Sequence, residues 1–241
     1  MLPIIPSLNE NERRLVGESW AHRAESEARI ALRYTAMAQA LMVHGATKTV
    51  LDLCQRAMAD EERHLHLCTK VALEFGVKPE MENIQRPGPL APIDLPVDRK
   101  VLYEVVALCC VGETINGSLL GHIYQQSKWP SIRLTAHTLL EDEIWHSRTG
   151  WAHLGAMHKK ADITWLSPHI LSMLQRVHDH GFLDDQGPWR EAAHMKAYGE
   201  LDYRTRIRLF RQTVTQVILP GFESFHLNID EARSWINGLA R

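Results

Sequence analysis

Two short stretches of this chain read alike: Asp60-Glu61-Glu62-Arg63-His64 and Asp142-Glu143-Ile144-Trp145-His146. Each is D-E-x-x-H within a segment of helical character. On a helix, residues three apart share a face and lie about 4.5 Å apart along the axis. Glu61 therefore points with His64, and Glu143 with His146. Two carboxylate–imidazole pairs from two helices supply much of a dinuclear metal site in a helix bundle.

A complete site of this kind needs one more Glu from each of two other helices. In the first long segment, Val16, Trp20, Ala24, Glu27, Ala31, Tyr34, Ala38 and Leu41 alternate at steps of four and three. That spacing marks an inward stripe, and Glu27 is its acidic member. Glu25 is the rival, but its face carries Glu18, His22 and Arg29, which suit solvent. In the apolar segment Val101–Leu120 the central acid is Glu113, set among Val106, Cys109, Cys110 and Leu120. A buried carboxylate there calls for a cation.

The halves repeat. Glu113 follows Glu27 by 86 positions, Glu143 follows Glu61 by 82, and His146 follows His64 by 82. The repeat predicts two helix hairpins about a pseudo-twofold axis, each giving half of the candidate ligands Glu27, Glu61, His64, Glu113, Glu143 and His146. Asp60 and Asp142 precede the two Glu and are rotated about 100° from them. Each is placed to accept a hydrogen bond from the His of the opposite helix, fixing its tautomer. Two further E-x-x-H spacings, Glu191/His194 and Glu223/His226, lack the preceding Asp and an upstream Glu in an apolar stripe. They read as surface or loop residues.

The ligand order and the D-E-x-x-H form resemble the ferritin-like di-iron carboxylate superfamily, over roughly residues 18–153. The likeness is to its oxygen-activating branch: monooxygenase hydroxylases and ribonucleotide reductase small subunits. Arg63 before His64 fits that branch; Trp145 departs from it. Cys68 stands where reductase subunits commonly carry a radical tyrosine, which argues against that role. The resemblance implies an all-α, ferritin-like four-helix bundle with a long crossover between helices 2 and 3. It also implies two iron ions, with a manganese–iron pair as the alternative, and O2 as co-substrate. The implied activity is a di-iron oxidase or oxygenase acting on a small organic substrate and fed by an external electron donor. The competing readings are ferritin-like iron oxidation and storage, or a tRNA-modifying di-iron hydroxylase.

Composition fits that frame. The chain has 241 residues, 45% of them hydrophobic, and a net charge of −2, which suits one domain with a sizeable core. The charge balance gives no general pull toward nucleic acid. No apolar run reads as a membrane span and no signal peptide opens the chain. Cys54, Cys68, Cys109 and Cys110 show neither C-x-x-C spacing nor scaffold density. They read as reduced thiols in a cytoplasmic protein, Cys109 and Cys110 as small core residues. A second copy, forming a homodimer, is a compatible partner.

Along the chain, Ser7 or Asn9 caps a first helix ending near Val43, and a second runs from about Thr47 to Phe75. The Pro-rich stretch 77–99 reads as the crossover. A third helix spans about Arg99–Gln126, and Pro130 opens a fourth to about Lys159. The core bundle is thus residues 9–159, and residues 160–241 form a helical extension of the same domain. In it, Ser167-Pro168 opens a helix to His180, residues 181–188 form a loop, Tyr203–Leu219 is a helix stopped by Pro220-Gly221, and Asp230–Leu239 closes the chain. Trp165, Trp189, Trp235 and Phe210 give the extension an apolar mass that packs on the bundle flank or mouth. Four further residues or clusters carry minor readings. His153, two turns beyond His146, reads as a pocket or core histidine and not as an extra ligand. Tyr34 reads as a core tyrosine with a satisfied hydroxyl. Asn116 either bonds near the site or packs. Arg204, Arg206, Arg208 and Arg211 read as a solvated basic face.

Overall fold

The computed structural model describes residues 7–82, 84–85, 87–180 and 193–239. Among them the chain is all-helical, without a strand. Helix α1 is Glu10–Val43, opened by a capping box in which Asn9 and Glu12 each accept the other's backbone N–H, at 3.0 and 2.9 Å. Such a box satisfies two otherwise orphaned donors. Gly45, at φ 68°, turns the chain, and Thr47 caps α2, Lys48–Glu74. The short link makes α1 and α2 an antiparallel hairpin, and they pack along their length.

The crossover is strapped to the bundle by side chains. Glu104 accepts the backbone N–H groups of Leu90 and Ala91 at 2.6 and 2.9 Å, and Arg33 of α1 reaches both Glu104 and the Gly88 carbonyl. Helix α3 is Val97–Gln126, with a π-helical stretch at Val106–Glu113. Pro130, in the first turn, opens α4, Pro130–His158. Helix α3 packs on α4, α4 on α2, and α1 on the opening turns of α3.

In the extension, a 3₁₀ segment Thr164–His169 leads into α5, Ile170–His180, and a second, Ala193–Tyr198, leads to α6, Tyr203–Thr213. A π-helical turn Val214–Ile218 joins α6 to the short α7, Leu219–Glu223, and α8 is Asp230–Gly238. Helix α5 packs on the π stretch of α3 and on α8, while α6 packs on the Thr114–Gln126 half of α3. The extension thus covers a flank of α3, which is why that helix is apolar on nearly every side.

Three expectations need correction. Pro220-Gly221 does not stop a helix: the π turn changes the hydrogen-bond register just before Pro220, so the missing N–H falls where the ladder is already interrupted. Pro168 lies within a 3₁₀ segment and does not open α5. And one helix, Val97–Gln126, is long and apolar enough to pass as a membrane span by composition. Yet 67% of its most apolar window is buried in this fold, as befits a core helix. The α1 stripe holds at Val16, Trp20, Ala24, Glu27, Tyr34 and Leu41, while Ala31 and Ala38 are half-buried and Met37 takes a core place. Residues 181–188, Trp189, Glu191 and the side chain of His194 lie outside the described residues.

The apolar core falls into two clusters. One holds Ala24, Cys68, Cys110 and Ile115; the other holds Tyr34, Cys54, Ala57 and Cys109. On α1, Glu27 lies between the two; on α2, Glu61 and His64 do. Buried polar side chains divide the core at mid-height.

Candidate metal centre

Six side chains from four helices meet in that gap. Glu27 comes from the middle of α1, Glu61 and His64 from α2, Glu113 from the last π-helical position of α3, and Glu143 and His146 from α4. None is more than 5% exposed. The His64 Nδ1 lies 3.8 Å from Glu27 Oε2, 3.7 Å from Glu61 Oε2 and 4.0 Å from Glu143 Oε1. The His146 Nδ1 lies 3.1 Å from Glu61 Oε1 and 3.3 Å from Glu143 Oε2. Both Glu61 and Glu143 therefore lie between the two imidazoles, whose ring centroids are 5.5 Å apart.

Two groups can each hold a metal ion: Glu27, Glu61 and His64, and Glu61, Glu113 and His146, with ligand atoms within 4.8 Å of one another in each. Glu61 belongs to both. The fit can be tested on unmet bonding needs. Glu61 Oε1 and Oε2, Glu143 Oε2, His64 Nδ1 and His146 Nδ1 are buried and make no hydrogen bond. Buried polar atoms nearly always find a partner, and here five without one converge. Carboxylate oxygens and imidazole nitrogens are the donor set of a transition-metal ion.

Each outer nitrogen faces a carboxylate, in a hydrogen bond at His64 and in a looser approach at His146. His64 Nε2 lies 3.1 Å from Asp142 Oδ2, and His146 Nε2 lies 3.4 Å from Asp60 Oδ2. Each helix's Asp backs the other helix's His, as the sequence spacing predicts, and this directs Nδ1 inward. Arg63 bridges both Asp carboxylates. Arg56, one turn before Asp60, reaches Asp60 and Asp142 at 3.5 and 3.9 Å and lies over the Trp145 ring. Burial favours the neutral acid at Asp60, but the facing His146 and the hydrogen bond from Arg63 outweigh it and hold the carboxyl at about 2.

Protons balance the cluster in the metal-free chain. Burial opposes a charged His64, yet Asp142, Glu27 and Glu61 together hold its imidazolium up to about 12. His146 is raised in the same way against its burial, by Glu143, Asp60 and Glu61. Burial, with Glu143 and Glu61 alongside, pushes Glu113 well above the usual carboxylate range. A bound cation would take over the role of these protons and expel them.

Other residues fix the carboxylates. Asn116 donates to Glu143 Oε1 at 2.8 Å and accepts from Arg23 at 3.2 Å, which resolves its role toward bonding. Tyr34 donates to Glu113 Oε1 at 3.0 Å. Arg23 and Arg56 were not singled out from sequence. Each sits four residues before an acid of the cluster, a spacing that helical i,i+4 pairing makes suggestive.

The rejected candidates fall elsewhere. Glu25 is half-buried and accepts the backbone N–H of Glu80. Glu223 and His226 are exposed, and Glu223 pairs with Arg233. His153 is buried in α4 outside both groups, and burial and Lys160 lower it to about 4. Cys54, Cys68, Cys109 and Cys110 are buried free thiols. Of the basic cluster, Arg204, Arg208 and Arg211 line a groove of about 430 Å³, while Arg206 turns inward toward Glu200.

The chain matches no family model, no curated protein and no solved structure.

Proposed function

We propose that this chain is a ferritin-like dinuclear metal protein that activates O2, an oxidase or oxygenase for a small organic substrate. One observation carries the reading: buried carboxylates from four helices converge about two inward-facing imidazole nitrogens, and the inward atoms of Glu61, His64, Glu143 and His146 include five that make no hydrogen bond. The order of elements supports it. Each helix hairpin contributes one lone Glu and one Glu-x-x-His, and a long crossover separates the hairpins.

Glu27, Glu61 and His64 hold one ion, and Glu61, Glu113 and His146 the other, with Glu143 beside both. Four carboxylates match the charge of two divalent ions. The donor set favours iron, or iron with manganese. When bound, the ions supply the electrons that reduce O2; an external donor restores them. The protein's part is to orient and to exclude. Asp60 and Asp142 keep Nδ1 of each His toward the metals, Asn116 holds one oxygen of Glu143, and the two apolar clusters keep water from the oxidant. A storage role fits less well, since the extension covers a bundle flank that shell assembly would use.

The test is metal content with oxygen uptake. Protein made in iron-replete medium carries two ions per chain, and its reduced form consumes O2 without laying down mineral. His64→Ala and His146→Ala each lose metal; His226→Ala keeps it. Retention in the first two, or loss in the third, would falsify the assignment.

A further inference from the structure

Helix α6 is dense in arginine, and the candidate centre uses none of it. Arg206 turns inward toward Glu200. Arg204, Arg208 and Arg211 follow one another at steps of four and three, so they share a face of the helix. That face lines the groove of about 430 Å³, whose lining holds no acid and none of the six candidate metal ligands. Asp202, the acid nearest in sequence, is already engaged: it accepts the Thr205 backbone N–H at 2.7 Å and pairs with Lys196 at 3.5 Å. Arg14 on α1 and Lys48 on α2 each have an acid one turn on, Glu18 and Asp52. The three arginines of α6 have none, and among the described residues they form no ion pair. Arg211 Nε is buried and makes no hydrogen bond. Arg208 donates to Gln212 Oε1 at 3.1 Å, which leaves the Gln212 amide its NH2 to donate. Like charges at these spacings repel, and a buried N–H without a partner is costly. An anion in the groove relieves both.

We infer that this groove binds a small organic phosphate, at a site separate from the candidate metal centre. Guanidinium groups take phosphate oxygens through paired N–H donors. Three positive charges converging on one group suit a phosphate dianion better than a monocarboxylate. Tyr203, Ile207 and Leu239 give the groove an apolar wall beside the arginines, so the ligand carries an uncharged organic body that inorganic phosphate lacks. The volume is that of a small-molecule site. A nucleic acid would need a wider basic surface, and the whole chain carries a net charge of −2. The phosphate supplies the acceptor that Arg211 Nε lacks, and Arg204, Arg208 and the Gln212 amide close on its other oxygens. Binding is by ion pairing and contact, with no bond made or broken. The site stands on these residues alone and does not depend on what the centre does.

Isothermal titration calorimetry of the full chain decides this, with phenyl phosphate, inorganic phosphate, phenol and a short single-stranded RNA as probes. Phenyl phosphate is expected to bind saturably, one per chain, and more tightly than inorganic phosphate, while phenol does not bind. Arg204 and Arg208 are exposed, so Arg204→Gln and Arg208→Gln leave the fold in place. Each should weaken phenyl phosphate by about tenfold or more. Lys70→Gln removes an exposed charge of α2, away from the groove, and should leave the affinity unchanged. No saturable binding of phenyl phosphate, full affinity in either arginine variant, or an equal loss in Lys70→Gln overturns the inference. Inorganic phosphate bound as tightly as phenyl phosphate removes the organic body from it and overturns it too. So does RNA that binds more tightly than phenyl phosphate and is lost in Arg208→Gln, which would make the groove a nucleic-acid contact.

Discussion

At the scale of residues, the candidate centre is a problem in balancing buried charge. Removing an ion's water costs several kcal/mol even after relaxation, and the cluster places Glu27, Glu61, Glu113 and Glu143 in one apolar gap. The crossed Asp–His pairs decide which nitrogen faces inward. Asp60→Asn or Asp142→Asn should therefore lower metal affinity about 10- to 100-fold while leaving the fold intact; competition with a chromogenic chelator measures it, and unchanged affinity would remove the Asp from any orienting role. The six candidate ligands were legible because buried acids and E-x-x-H spacing are rare on apolar stripes. Arg56, Arg23 and the Arg33–Glu104 pair were not, since each is an ordinary charged residue until tertiary packing places it. Tyr34 and Asn116 were visible as neighbours, but their partners depended on which way α3 turns.

At the scale of elements, the π-helical stretch Val106–Glu113 is the feature that places Glu113. Such stretches widen the backbone by one residue per turn and recur at functional sites. Sequence could not reveal it: every residue from Val105 to Val111 is buried and apolar, so no change of polar period marks the change of register. The helix starts near Asn9, Thr47 and Pro130 were legible because their chemistry is local. The stretch is held against α4 at Gly150, where a Cβ would meet Cys110 Sγ at 2.7 Å, Cys109 Cβ at 2.8 Å and the Cys110 backbone nitrogen at 2.8 Å. Backbone cannot yield as a side-chain tip can. Gly150→Ala should cost about 1–3 kcal/mol and lower metal content by shifting Glu113. Denaturant melts and metal analysis check the two halves, and a variant as stable and as metal-rich as wild type would show that the contact is slack.

At the scale of the whole molecule, a buried acid makes the packing of the extension on the bundle sensitive to pH. Glu200, 3% exposed, makes no hydrogen bond through either oxygen and lies near Ser19 and Arg23 of α1 and Arg206 of α6. Burial raises it from 4.5 to about 7, against the pull of Arg206, Ser19 and Arg23. The folded chain thus binds this proton more tightly than the unfolded one. Its contribution is whole below pH 4.5 and is lost as pH rises through about 7. The loss is on the order of 3 kcal/mol. Glu200→Gln should gain stability relative to wild type at pH 8 compared with pH 5; an equal difference at both would place the titration elsewhere. The extension also predicts a monomer or small oligomer by sizing chromatography, and a shell-sized particle would return the reading to storage. The central claim is that two metals share one carboxylate between two crossed His–Asp pairs. Anomalous diffraction at the iron edge, from crystals grown with Fe(II), tests it most directly. Two peaks are expected, one beside Nδ1 of His64 and one beside Nδ1 of His146, with Glu61 touching both; a single peak, or peaks away from these nitrogens, would refute the dinuclear assignment.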